Sequence, residues 1–324
     1  MATPDAIRQL GLLAQAILIT VATCAEAVPY GVASWPEEGR GNHRALIRVA
    51  APAEAVWAHI EWRRRDPNPE TKDIRVYDLT TGERVTNVVR VNVTREFGDI
   101  IFQPATVPGD YAVYYLPYNP GQGNFDDPGT YFPPEDTADP TWRERWGLSA
   151  QELAAGQWRN LPQAEVVEIQ ARGDFHRMDP MEVIATAEET ETLLAQHPDS
   201  SYLLFPEDRR YPIRMSDDLP LRWIENGPAN HFSGQAQPGE FYVFQIGVYA
   251  ARRAIPNLEL DYGDLVGEQG RMISASAFTC FNLGGTDWRG RPMTKTFEVA
   301  AGKVRPLWIG VAIPRDAEGT YEGV

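Results

Sequence analysis

The sequence predicts a mainly β protein: two β-sandwich-type domains with a helical insertion between them. Short runs of alternating apolar residues recur along most of the chain, separated by turn residues. Glycine (27) and proline (26) are frequent enough among the 324 residues to punctuate many short strands rather than a few long helices. Only the middle of the chain carries helical spacing and capping signals.

Residues 1–27 read as a secretory signal peptide. Arg8 precedes an apolar run from Leu10 to Thr23, and Ala25-Glu26-Ala27 supplies a small-x-small cleavage site. The run is shorter than the ~20 apolar residues that a membrane span needs, and no later stretch is apolar enough to span. The expectation is an exported protein, periplasmic, cell-surface or secreted, with an uncleaved anchor and a lipoprotein at Cys24 ranked below it. Cleavage leaves Cys280 alone, and one cysteine forms no internal disulfide.

Residues 28–118 read as the first sandwich. Ala45, Ile47 and Val49 alternate onto one face of a strand from Arg44 to Ala50. Strands follow at 56–60, 74–78, 85–93, 99–103 and 110–118, with a turn at Thr80-Thr81-Gly82-Glu83. Residues 119–212 read as a loop-rich and helical insertion. Pro117 to Pro140 has no period. Ser149 and Glu152 form a capping-box pattern that Gly156 soon ends. Val166–Ala171 reads as a strand. A longer helix is expected from Asp179, with Pro180 at its first position, Val183, Ala187, Thr190 and Leu194 on one face, and His197-Pro198 as its stop.

Residues 213–324 read as a second sandwich. Glu240–Ala250 is apolar on both faces, as an interior strand must be. Further strands are expected at Leu258–Leu260, at 295–299 and through Leu307, Ile309, Val311 and Ile313. Thr320-Tyr321 restarts extended chain just before Val324, which reads as a sandwich truncated at its C-terminal end.

Charge narrows the function. A net charge of -15 argues against nucleic acid, which calls for a clustered basic face. The one basic cluster, Arg63-Arg64-Arg65, lies between Glu61 and Asp66 and reads as a salt-bridged strand end rather than an anion site.

The C-terminal block carries a recognisable pattern. It runs through Gly239-Glu240-Phe241, Phe244-Gln245, Leu258 to Leu260, Asp264-Leu265 and Phe281-Asn282. Pro306-Leu307-Trp308, Ile313-Pro314 and Gly319-Thr320-Tyr321-Glu322-Gly323 complete it. This resembles the N-terminal β-sandwich of glycoside hydrolase family 123 and its relatives. Val32, Trp35-Pro36 and Gly41-Asn42-His43-Arg44 look like the opening of the same exported family. The resemblance implies a (β/α)8 catalytic barrel after the sandwich, with an adjacent Asp-Glu pair that works with the substrate's N-acetyl group. Nothing here matches that barrel, so no catalytic residue carries over. The expectation is the non-catalytic N-terminal portion of a glycoside-hydrolase-like protein, supporting a downstream catalytic domain, with a glycan as the intact protein's substrate. The alternatives are a carbohydrate-binding module and a cell-surface structural or adhesion protein.

The residues offer few other leads. Asp126-Asp127, Glu135-Asp136, Glu207-Asp208 and Asp217-Asp218 read as loop caps or solvated charge, because no base-partner context surrounds them. Asn42-His43 and Asp174-Phe175-His176 lack the converging ligands of a zinc site. No cofactor is expected, with structural calcium in the Asp-rich loop 124–139 as the lesser alternative. Trp62, Trp223 and Trp288 stand beside charged residues, a mix that suits a sugar-contacting loop, though a core tryptophan at a strand end is the favoured reading. Asp287-Trp288-Arg289, after Gly284-Gly285, is the leading surface contact, to carbohydrate or to a following domain.

Overall fold

The computed structural model describes residues 28–121 and 129–324. Residues 1–27, read above as a signal peptide, and Asp126-Asp127 lie outside the described residues. The first unit contains β1 (Tyr30–Val32), β2 (His43–Val49), β3 (Val56–Ile60), β4 (Ile74–Asp78), β5 (Arg84–Val85), β6 (Val88–Val93), β7 (Gly98–Phe102) and β8 (Gly109–Tyr115). A small pair, β9 (Tyr118–Asn119) with β10 (Thr130–Tyr131), precedes α1 (Pro140–Arg145), α2 (Ala150–Ala155) and β11 (Glu165–Ala171). Six strands form one sheet in the order β1-β11-β2-β8-β4-β5, and three form a second in the order β3-β7-β6. Their facing sides interdigitate. Ala45, Ile47, Val76 and Val113 from the larger sheet meet Val56, Ala58, Ile60 and Ile100 from the smaller one, all essentially solvent-free. This is a two-layer sandwich core, and strict alternation along β2 (buried at Ala45, Ile47 and Val49) is its cause.

The strand read at Val166–Ala171 does not stay with the expected insertion. It enters the larger sheet between β1 and β2, parallel to the former and antiparallel to the latter. The first unit therefore draws on residues 30–171. The helical segment between them lies on the smaller sheet, where Trp142, Leu148 and Trp158 bury against Val89 and Ile101.

The second unit starts before residue 213. It contains α3 (Ala187–Gln196), β12 (Leu203–Asp208), α4 (Leu221–Asn226), β13 (Phe241–Tyr249), β14 (Leu265–Gly267), β15 (Met272–Ile273) and β16 (Phe278–Cys280). β17 (Gly284–Thr286), β18 (Pro292–Thr294), β19 (Val304–Ala312) and β20 (Tyr321–Glu322) complete it. Four strands run β12-β13-β19-β16, so β13 is interior, as its two apolar faces require. The small sheet β15-β14-β20 packs on one face through Tyr242, Ile273 and Val311. α3, α4 and the chain around Ile213 cover part of the other face through Trp223, Phe205 and Leu193. No barrel closes among the described residues.

Three local expectations are corrected. The long helix begins at Ala187, not at Asp179: Thr186 and Glu189 form a reciprocal capping box there. The backbone of 183–185 is instead committed to neighbours, since Ile184 N donates to Arg63 O and Ala185 N to Leu219 O. Leu258–Leu260 forms no strand, and the strand expected at 295–299 lies at 292–294. By contrast, Ser149 caps α2 with Glu152, and Gly156 ends it at φ 77°, a left-handed conformation suited to glycine.

Candidate functional site

The three tryptophans weighed as sugar contacts part company in the structure. Trp62 and Trp223 are each 1% exposed, so neither offers a ring face to a sugar, and the surface-contact reading is corrected for both. Each indole seats on a strand glycine. A Cβ at Gly98 would lie 2.1 Å from the Trp62 ring, and one at Gly247 would lie 2.3 Å from the Trp223 ring. Each ring nitrogen is used internally: Trp62 donates to Thr94 O at 2.8 Å, and Trp223 donates to Glu207 Oε1 at 2.9 Å. Large flat side chains with one satisfied polar atom are ordinary core anchors.

Trp288 behaves differently, being 84% exposed at the tip of the β17–β18 hairpin. The tip is internally ordered. Asp287 accepts from the backbone of Arg289 and Arg291, both at 2.9 Å, and from the Arg291 guanidinium at 2.7 Å. The Arg291 bonds, backbone first, hold the Asp287 carboxyl below its ordinary pKa. The Arg289 guanidinium stacks 4.3 Å from the Trp288 ring centre. Asp287, Trp288 and Arg289 thus form one preorganised turn that presents an indole to solvent.

The acidic pairs are tied down individually. Glu135 bonds Arg84 at 2.9 Å, and Asp136 bonds Arg143. Glu207 is buried under Trp223 and Arg222, while Asp208 bonds Arg210 at 2.8 Å and Tyr242 at 3.1 Å. Asp217 bonds Lys303 at 2.7 Å, and Asp218 bonds Arg95. A general acid for glycoside hydrolysis needs a carboxyl that keeps its proton near neutral pH. The two carboxyls of these pairs that shift move the other way: the backbone of Arg210 lowers Asp208, and Lys303 lowers Asp217. Among the described residues, no group of three or more His, Cys, Asp or Glu side chains is placed to hold a metal ion.

The basic cluster is a clamp. Arg63 takes a left-handed φ of 48°, which lets three consecutive arginines diverge. Arg63 bonds Glu189 at 2.8 Å, Arg64 bonds Asp66 at 2.6 Å, and Arg65 bonds Glu182 at 2.6 Å. Arg63–Glu189 and Arg95–Asp218 join the first unit to the second, while Arg65 holds Glu182 in the segment that connects them. The segment 183–185 lies between, bridging Arg64 through Val183 and Pro220 through Ile184.

Sequence reasoning missed the polar core beneath this clamp. His43 is 8% exposed. Its Nε2 donates to His176 O at 2.7 Å, which leaves Nδ1 to accept from Arg64 at 2.8 Å. Burial, and then the Arg64 charge, push its pKa down to about 3, so the ring is neutral. Although burial opposes it, the Arg64 charge pulls Asp66 down to about 2. Asn42-His43, Asp174-Phe175-His176 and the Arg64–Asp66 stretch were each visible in the sequence, but nothing there showed that they meet.

Comparison with known proteins follows this geometry. Residues 33–172 match the family described as "Glycoside hydrolase 123, N-terminal domain". That match falls on the first unit, not on the C-terminal block whose motifs carried the resemblance. A solved family 123 glycoside hydrolase from Clostridium perfringens, described in terms of glycolipid glycan hydrolysis, is 22% identical. The alignment spans 27% of this chain and 18% of that one, with a TM-score of 0.21, so this chain matches well under two thirds of that enzyme. No curated protein matches the chain. Among the described residues, no helix is long and apolar enough to cross a membrane. Residues 33–172 of this chain are therefore similar to the N-terminal domain of glycoside hydrolase family 123.

Proposed function

We propose that this chain is the non-catalytic N-terminal portion of an exported, carbohydrate-active, glycoside-hydrolase-like protein, and that it supports a catalytic barrel downstream of Val324. The observation that carries the reading is the match of residues 33–172 to an N-terminal domain of a glycoside hydrolase family. The clamp fits a supporting role, because ion pairs and backbone bridges hold the two sheet units together. The glycan substrate belongs to the intact protein. The coding sequence beyond Val324 tests the proposal: a (β/α)8 pattern with an adjacent Asp-Glu pair is expected, and a stop codon or a further run of sandwiches overturns it.

One observation favours a second reading, a carbohydrate-binding module. The Asp287-Trp288-Arg289 turn holds an 84% exposed indole in a fixed setting. Loss of glycan-array binding in Trp288→Ala would favour the module. Unchanged binding would leave the turn as a contact for the following domain.

A further inference from the structure

The four-stranded sheet of the second unit is covered on only half of one face. Where β13 carries Gly247 and Tyr249, Trp223 and Phe205 seal it. Gln245 marks the edge of the cover, accepting from Ile213 N at 2.8 Å. Beyond it, alternation and register place Val243, Gly310 and Thr279 in one row, with Trp308 and Ala312 on the same face. Here the chain leaves large rings in water. Phe241 is 46% exposed and Phe281 is 49% exposed, with ring centres 5.9 Å apart. Both rings lie over Gly310: a Cβ there would stand 2.2 Å from Phe241 and 3.1 Å from Phe281. The missing side chain lets both rings pack close to the sheet, with their planes 60° apart. Trp308 adjoins them half-buried, with its carbonyl accepting from Phe281 N at 2.9 Å.

Area and charge choose the occupant. Two phenylalanines at just under half exposure offer about 100 Å² each, against the roughly 800 Å² per partner of a stable protein interface. The area suits one or two sugar rings instead. The platform's residues carry no formal charge, and Glu240, beside Phe241, is bonded to Arg209. A neutral ligand therefore fits better than an anionic lipid surface. An exposed phenyl face also matches the C–H face of a pyranose, whose hydroxyl edges stay in water, and with their planes 60° apart the two rings would each meet a sugar ring separately.

We propose that Phe241 and Phe281, floored by Gly310 and flanked by Trp308, stack one or two pyranose rings of a neutral saccharide. This site is separate from the Trp288 turn. It rests on the reading of the chain as part of a carbohydrate-active protein but does not depend on where catalysis occurs.

The test uses the full chain with amylose, cellulose and chitin in pull-down, and with the hexasaccharide of each in calorimetry. Binding to at least one is expected. Phe241→Ala with Phe281→Ala should weaken it at least tenfold in a protein that still unfolds cooperatively well above the assay temperature. Phe241→Leu with Phe281→Leu should weaken it as much, because leucine keeps apolar area but presents no flat face. Trp288→Ala should leave this binding intact. No binding to any of the three polymers overturns the proposal, as does wild-type binding by the leucine pair. A self-association lost in the alanine pair and kept in the leucine pair assigns the face to a second copy and also overturns it. Failure here leaves the supporting role standing, because that role is decided by the downstream sequence.

Discussion

Acid should unfold this protein earlier than its carboxylates alone dictate, and His43 is the reason. The buried ring refuses a proton until about pH 3, whereas an exposed histidine accepts one near 6.5. Below 6.5 the unfolded chain therefore binds a proton that the folded chain does not, so stability is full above 6.5 and falls as pH drops toward 3. The arithmetic gives a loss of about 2 kcal/mol at pH 5 and about 4 kcal/mol at pH 3. Against a domain stability of roughly 5–15 kcal/mol, that is a large share. Asp66 shifts downward and is stabilising at neutral pH, but its contribution is lost only below its ordinary pKa of 3.8, outside a window of pH 7.5 to 5. The assay is urea unfolding at both pH values for the wild type and for His43→Gln, which keeps a neutral donor and acceptor and cannot charge. The wild type should lose about 2 kcal/mol more than the variant on acidification. Equal losses in the two proteins would refute the claim that His43 is held neutral between Arg64 and His176.

Three further outcomes follow from the packing. Gly98→Ala and Gly247→Ala each drive a methyl group into a buried indole and should cost roughly 1–3 kcal/mol in urea unfolding, with a blue-shifted or broadened tryptophan emission absent in Gly270→Ala. Arg63→Ala removes the pairing with Glu189 across the clamp and should cost about 1–3 kcal/mol, with new limited-proteolysis cuts near 180–186. Trp288→Ala touches only the exposed hairpin tip and should change stability by less than about 0.5 kcal/mol, measured by the melting temperature.

Local pattern reached the strands because their cause is local. Alternation in β2 and β3 and two-faced hydrophobicity in β13 follow from which residues face a core, so the mainly β fold was readable residue by residue. The false helix start shows the limit. Pro180 and Glu182 imitate a first turn, yet Val183 and Ile184 are drawn into extended bridges by Arg64 and Pro220, partners far away in the chain. Thr186 and Glu189, the true cap, stood in the same sequence as an equally plain signal. β11 was visible as a strand, but its place beside β2 depends on a partner more than a hundred residues earlier. The favoured core reading holds for Trp62 and Trp223 but not for Trp288, and the sequence does not tell the three apart. Charged neighbours made Trp62 and Trp223 resemble Trp288, while burial was decided by Gly98 and Gly247 on other strands. The open aromatic half-face depends on a third such glycine, Gly310, under rings from two separate strand ends.

The central claim is that these layered sheets support, and do not perform, sugar cleavage. The direct measurement is hydrolysis of a broad set of aryl glycosides by purified residues 28–324, from pH 4 to pH 8. Release at the rate of the protein-free control is the predicted result. Turnover that disappears on replacing one carboxylate, such as Glu207→Gln or Asp218→Asn, would contradict it.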